Sequence, residues 1–200
     1  MKTAWFDNNT LPPSMLNAGF KPLAESDHFP ALRECFDKIH DQHTLLDLGC
    51  GAAEAFRTFG EFEYSGADLP HIIEEVAKKK NPTANFIYFN AEVDDYGFLS
   101  SHDVILMNSF ISEIPDWYRV LSKVLHYSNK FVVLHRQETT ASPSYLQDYK
   151  TYGSLTTVKS VINYDHLKNM FNLNGYDVLY EAPSFPHSDA QKTFLLEKTR

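Results

Sequence analysis

Apolar and polar positions along this chain follow two periods. Leu45-Leu46-Asp47-Leu48 is a short apolar run of the kind that is covered on both faces of a parallel sheet. Runs with strand character recur at Glu63–Leu69, Asn85–Phe89, Ser101–Met107, Phe131–Arg136, Gly175–Tyr180 and Lys192–Glu197. Between them the apolar spacing changes to three and four. Leu32, Cys35, Phe36 and Ile39 mark one face of a helix over Pro30–Asp41, and Trp117, Val120, Leu121, Val124 and Leu125 do so over Asp116–Ser128. Ala52–Gly60, Pro70–Lys80 and Asn163–Asn174 complete the helices, stopped by Gly60, Asn81-Pro82 and Gly175. Strands that alternate with helices predict an α/β fold with a mostly parallel sheet.

Two stretches stand outside this alternation. Residues 1–29 are broken by prolines and carry Trp5, Phe6, Phe20 and Phe29, which predicts an N-terminal arm or lid on a domain that runs over 30–200. Residues 137–162 are polar and too long for a simple connection, which predicts a cap insertion after the fifth strand. Tyr145, Tyr149 and Tyr152 lie there at helical spacing, where they either stack on a substrate or pack a helix.

The turn after the first strand carries the chemistry. Gly49 and Gly51 let the backbone fold sharply and approach a ligand, and the helix behind them aims its free N–H groups at the same place. Cys50 is a small packing residue inside this loop. Asp68 ends the second strand 21 residues after Asp47, where nucleotide-binding sheets place an acid on ribose hydroxyls; its other reading is a cap on the next helix. A dinucleotide loop puts glycine where this chain has Glu54, and a carboxylate there repels a pyrophosphate.

Asp47-Leu48-Gly49-Cys50-Gly51-Ala52-Ala53 resembles the first motif of the class I S-adenosylmethionine (SAM)-dependent methyltransferases, with Ala53 in place of its third glycine. The resemblance covers about Pro30 to the C-terminus, apart from 137–162. It implies a Rossmann-like sheet of seven strands in the order 3-2-1-4-5-7-6, helices on both faces and the last strand antiparallel. It implies SAM as cofactor, S-adenosylhomocysteine (SAH) as product, and a small-molecule methyl acceptor. Asp47, Gly49, Cys50 and Gly51 would hold the methionine part, Asp68 and Leu69 the ribose, and Asn90 and Ala91 the adenine, with Glu92 the alternative to Asn90 as acceptor. Asn108 and Ser109 would stand at the rim of the methyl-transfer site, where the strand order reverses. Ile114-Pro115-Asp116 resembles the family's loop after the fourth strand, and the Asn/Asp-Pro-Pro-aromatic motif of base methylation is absent.

His135, at the end of the fifth strand, is the first candidate for a general base because imidazole titrates near neutrality; its other reading is a packing histidine. Glu113 is the second candidate, and Arg136 is a candidate to steady an acidic substrate group. No trio of acids at strand ends reads as a metal site. A non-catalytic SAM-binding or interaction protein, a protein methyltransferase and an NAD-dependent oxidoreductase are the competing readings.

Composition narrows the partners. Of 200 residues 43% are hydrophobic and 22% charged, which suits one globular domain. The net charge of −8, with 26 acids against 18 bases, leaves no basic footprint for nucleic acid. Lys78-Lys79-Lys80 closes a helix, where cations suit the macrodipole. No apolar run reaches membrane-spanning length, and the first 14 residues do not read as a signal peptide. Cys35 and Cys50 form no metal spacing, and the pair suits a reducing, cytoplasmic compartment.

Overall fold

In the computed structural model, which describes Trp5, residues 22–151 and residues 155–199, the apolar run around Leu45 is a central strand. The strands in chain order are β1 (Thr44–Leu48), β2 (Glu63–Asp68), β3 (Asn85–Tyr88), β4 (Val104–Asn108), β5 (Phe131–Thr140), β6 (Tyr145–Thr151), β7 (Leu155–Asn163), β8 (Tyr176–Phe185) and β9 (Ser188–Lys198). The helices are α1 (Phe29–Phe36), α2 (Glu54–Thr58), α3, α4 (Trp117–Tyr127) and α5 (Tyr164–Leu173). α3 is α-helical over Pro70–Ile72, π-helical over Ile73–Ala77 and α-helical again over Lys78–Lys80.

Parallel pairing runs β3-β2-β1-β4-β5, and β9 then pairs antiparallel with both β5 and β8. This is the expected order, with β8 and β9 in the places of the sixth and seventh strands. Successive side chains of β1 point to opposite faces, so one strand feeds two cores. Leu46 and Leu48 pack with Val120, Leu121, Val124, Met170 and Phe171 of α4 and α5. Leu45 packs with Leu32, Cys35 and Phe36 of α1 and with Phe59 beyond α2. Rings of Phe36 and Phe59 stack at 3.9 Å between centroids and seal that face.

The segment 137–162 departs from the helical spacing expected of its tyrosines. β5 runs on to Thr140, and β6 and β7 form an antiparallel hairpin paired from Tyr145↔Val161 to Thr151↔Leu155. β7 joins the far end of β5 in parallel at Thr139↔Ile162 and Thr140↔Asn163. A spacing of four suits a strand face as well as a helix face, and Thr156-Thr157-Val158 adds β-branched residues that favour the strand. The hairpin therefore stands beyond the carboxyl edge of the sheet, tied to the loop after β4 by Ser160 Oγ, which donates to Ile114 O at 2.7 Å. The first crossover helix also starts later than its spacing predicts. Ala52 and Ala53 belong to the turn, because Ala53 is left-handed at φ 55°.

Candidate cofactor and acceptor site

The turn between β1 and α2 is shaped by what cannot fit. Gly49 has φ 77°, and a Cβ there would lie 2.2 Å from the Phe110 ring. Gly51 has φ 53°, and a Cβ there would meet nothing within 4 Å, so open space lies against that backbone. Ala53 holds the left-handed conformation that the third glycine would take freely. Asn81, which is 2% exposed, steadies it. Its amide donates to Ala52 O at 2.9 Å and Ala53 O at 3.2 Å, while its oxygen accepts from Arg57 Nε at 2.7 Å. Asn81 was legible in the sequence only as the residue that stops a helix.

Two carboxylates flank the turn. Asp68 Oδ2 accepts the Gly51 N–H at 2.8 Å, and Oδ1 accepts the Leu69 N–H at 2.7 Å. Burial nevertheless pushes its carboxyl up to about 6. Asp47 accepts the Tyr64 hydroxyl at 3.0 Å and is pushed up to about 7, mainly by burial. Burial also pushes the Cys50 thiol up, which leaves it an inert packing group.

These residues open onto one cavity of about 460 Å³. Asp47, Gly49, Cys50, Gly51, Asp68 and Leu69 line its cofactor end. Ala91, Asn108 and Ser109 line it further along. Asn108 Oδ1 is buried without a hydrogen-bond partner among the described residues. A SAM molecule fits this end: the space over Gly51 admits its backbone-hugging tail, the acids suit its cationic and hydroxyl groups, and Asn108 lacks a donor. Asn90 does not line the cavity. Its amide oxygen accepts the Glu92 N–H at 2.9 Å, a local turn that competes with any contact to a base.

The other end is built from side chains that are distant in sequence. Glu113 accepts the Trp5 indole N–H at 2.9 Å and the Tyr149 hydroxyl, and burial pushes its carboxyl up. Glu138 Oε1 accepts from Lys159 Nζ at 2.8 Å and Gln191 Nε2 at 2.6 Å. Arg136 lines the cavity at a register shift in the β5–β9 ladder, with φ 57°. Tyr145 is 48% exposed and off the cavity, and Tyr152 lies outside the described residues.

His135 stands one side chain behind the cavity rather than on its wall. It is 1% exposed, with Nε2 2.9 Å from His28 Nδ1 and Nδ1 2.8 Å from Thr193 Oγ1. Burial, with the His28 and Arg136 charges, holds its imidazole far below the ordinary histidine value. His28, which does line the cavity, is lowered to about 4 by burial and by Arg136, against Asp27. The sequence reading missed His28, Lys159, Glu138 and Gln191. Only the polar, carboxyl-edge position of Glu138 just past Arg136 was a usable signal. Among the described residues no group of three or more His, Cys, Asp or Glu could hold a metal ion, and no helix is long and apolar enough to cross a membrane.

A family model described as a methyltransferase domain matches residues 24–181. No curated protein matches the chain in sequence. Among solved structures, the SAM-bound amino pentose methyltransferase CalS10 of Micromonospora echinaspora superposes with a TM-score of 0.68 at 12% identity, covering 94% of this chain and 98% of its own. A SAM-dependent methyltransferase of Mesorhizobium loti gives 0.66 at 14% identity, over 88% of this chain and 99% of its own. DesVI of Streptomyces venezuelae gives 0.65 at 12% identity, over 88% and 94%. At such identities the superpositions speak to the fold.

Proposed function

Since the chain belongs to the class I SAM-dependent methyltransferase family, we propose that it moves the methyl group of SAM to an oxygen or nitrogen of a small-molecule acceptor. The observation that carries this reading is a single cavity with two chemically different ends. One is a glycine turn between the acids Asp47 and Asp68, the other a polar chamber under the β6–β7 hairpin.

SAM supplies a methyl group already activated by its positive sulfur. The protein's part is to align the acceptor atom and keep water out. Asp68 takes ribose hydroxyls on the lone pairs that Gly51 and Leu69 leave, Asp47 faces the cationic end, and Asn108 Oδ1 accepts from the ammonium. Glu113 takes the proton that an acceptor hydroxyl or ammonium must release, with Trp5 and Tyr149 holding its two oxygens in place. Its raised value makes it a stronger base than an exposed carboxylate. Trp5, Leu23, Ser26 and His28 line the cavity, so we assign the N-terminal segment a part in the chamber wall.

Titration calorimetry with SAH tests the cofactor end, and SAH release on a panel of hydroxyl and amine acceptors tests the reaction. Tight SAH binding with no release on any acceptor would instead favour a SAM-binding interaction protein.

A further inference from the structure

The hydrogen bonds behind His28 run in one direction. The Arg136 N–H can only donate, so Ser184 Oγ accepts it at 3.1 Å. Ser184 is 1% exposed, and its other partner is Thr193 Oγ1 at 2.9 Å. Its own proton therefore goes to Thr193. Thr193 is fully buried and passes its proton to its remaining partner, Nδ1 of His135. His135 is held neutral, so it carries its proton on Nε2 and donates to His28 Nδ1. Neutral His28 then keeps its proton on Nε2, an atom with no partner among the described residues. Reversing the chain would leave the Ser184 proton without an acceptor, which disfavours the reversed form about 5- to 150-fold.

We propose that His28 is an acceptor-binding residue whose imidazole, locked in the Nε2–H form by the Arg136–Ser184–Thr193–His135 chain, donates a hydrogen bond to an oxygen of the methyl acceptor. This rests on the methyltransferase reading above. His135 is a positioning residue: it cannot reach the cavity, and its free lone pair is already engaged by Thr193. An acceptor hydroxyl, carbonyl or carboxylate oxygen meets the N–H, whereas an ammonium meets a donor beside the Arg136 charge that already weighs on His28.

The experiment is nitrogen NMR of the histidine side chains in the full chain bound to SAH. SAH titration comes first and judges the cofactor reading separately; absence of binding overturns both. With SAH bound, His28 and His135 should each show the proton on Nε2. Thr193→Ser, which keeps the hydroxyl, should preserve that form, and Ser184→Ala should release His28 into a mixture of both forms. Acetate and methyl β-D-xylopyranoside should shift the His28 Nε2–H signal and methylammonium should not. A proton on His28 Nδ1 in the parent chain, an unchanged Ser184→Ala spectrum, or a shift by methylammonium and not by the oxygen probes overturns the proposal. In turnover with an acceptor found by SAH release, His28→Leu should raise KM about 3- to 10-fold, with His28→Gln closer to the parent chain.

Discussion

The two ends of the cavity are assembled by different means. The cofactor end rests mainly on two short runs of chain, Asp47–Glu54 and Asp68-Leu69, joined by Asn108 at the end of β4, and Asp68 is tied there by the backbone N–H groups of Gly51 and Leu69. The acceptor end comes from side chains that meet across long separations: Trp5 and Glu113 are 108 residues apart, His28 and His135 107. A backbone-built site tolerates drift in side chains but not in φ. A side-chain-built site is fixed only by packing of the β5 bulge, the β6–β7 hairpin and β9. Asp47 and Asp68 answer acid in the opposite sense to His28, with Glu113 of the acceptor end on the side of the acids. Asp47 and Asp68 are raised to about 7 and about 6, so the stability they contribute is present at low pH and is lost as pH rises through those values. His28 is lowered to about 4, so its contribution is present above the ordinary histidine value and is lost as pH falls toward 4.

Substitutions can separate the two ends. The largest effect is expected at the acceptor end: Glu113→Gln should lower kcat about 100-fold or more while SAH affinity, read by calorimetry, stays within about twofold. Asp68→Ala is its counterpart at the cofactor end and should weaken SAH about 10- to 100-fold, since it removes charge-assisted bonds to ribose and strands the Gly51 N–H. If Glu113→Gln weakened SAH as much as Asp68→Ala does, the division into two ends would be wrong. Gly49→Ala attacks the backbone-built end through its fold. With φ 77° and Phe110 2.2 Å from the new Cβ, it should cost about 2–4 kcal/mol in chemical denaturation.

Finer variants sharpen the contrast. Tyr149→Phe removes one of the two bonds to Glu113 and should reduce kcat about 3- to 10-fold with SAH affinity unaltered. The pH series gives the smallest effects and the clearest signs. In Asp68→Asn the loss of stability between about pH 4 and about pH 6 should shrink, and the parent chain's SAH affinity should rise through about pH 6 as Asp68 ionises. In His28→Gln the loss of stability between about pH 6.5 and about pH 4 should shrink instead. Denaturation midpoints across pH read both, and slopes of the same sign would contradict the placement of these groups.

Local pattern and the global fold agree closely along the sheet. The strand and helix order was legible because each element carries its own period, and the glycine turn because φ above zero selects its residues. Ala53 marks the limit of that logic: its left-handed backbone is held by Asn81, a residue from the end of α3 that no local rule connects to the turn. Asn90 marks another, since its side chain turned to its own loop.

By itself the sequence determined the succession of strands and helices and the two acids that bracket the turn, because these depend on short-range spacing and on which residues a tight turn accepts; the sheet order and the cofactor class followed from the family resemblance that this turn carries. The tertiary structure alone decided the acceptor end. A tyrosine spacing of four is neutral between helix and strand until pairing with Leu155–Val161 makes it a hairpin. The bulge at Arg136 turns that side chain into the cavity and leaves His135 buried behind His28. Which histidine lines the cavity is set by a register shift and by partners a hundred residues away, and neither leaves a local trace.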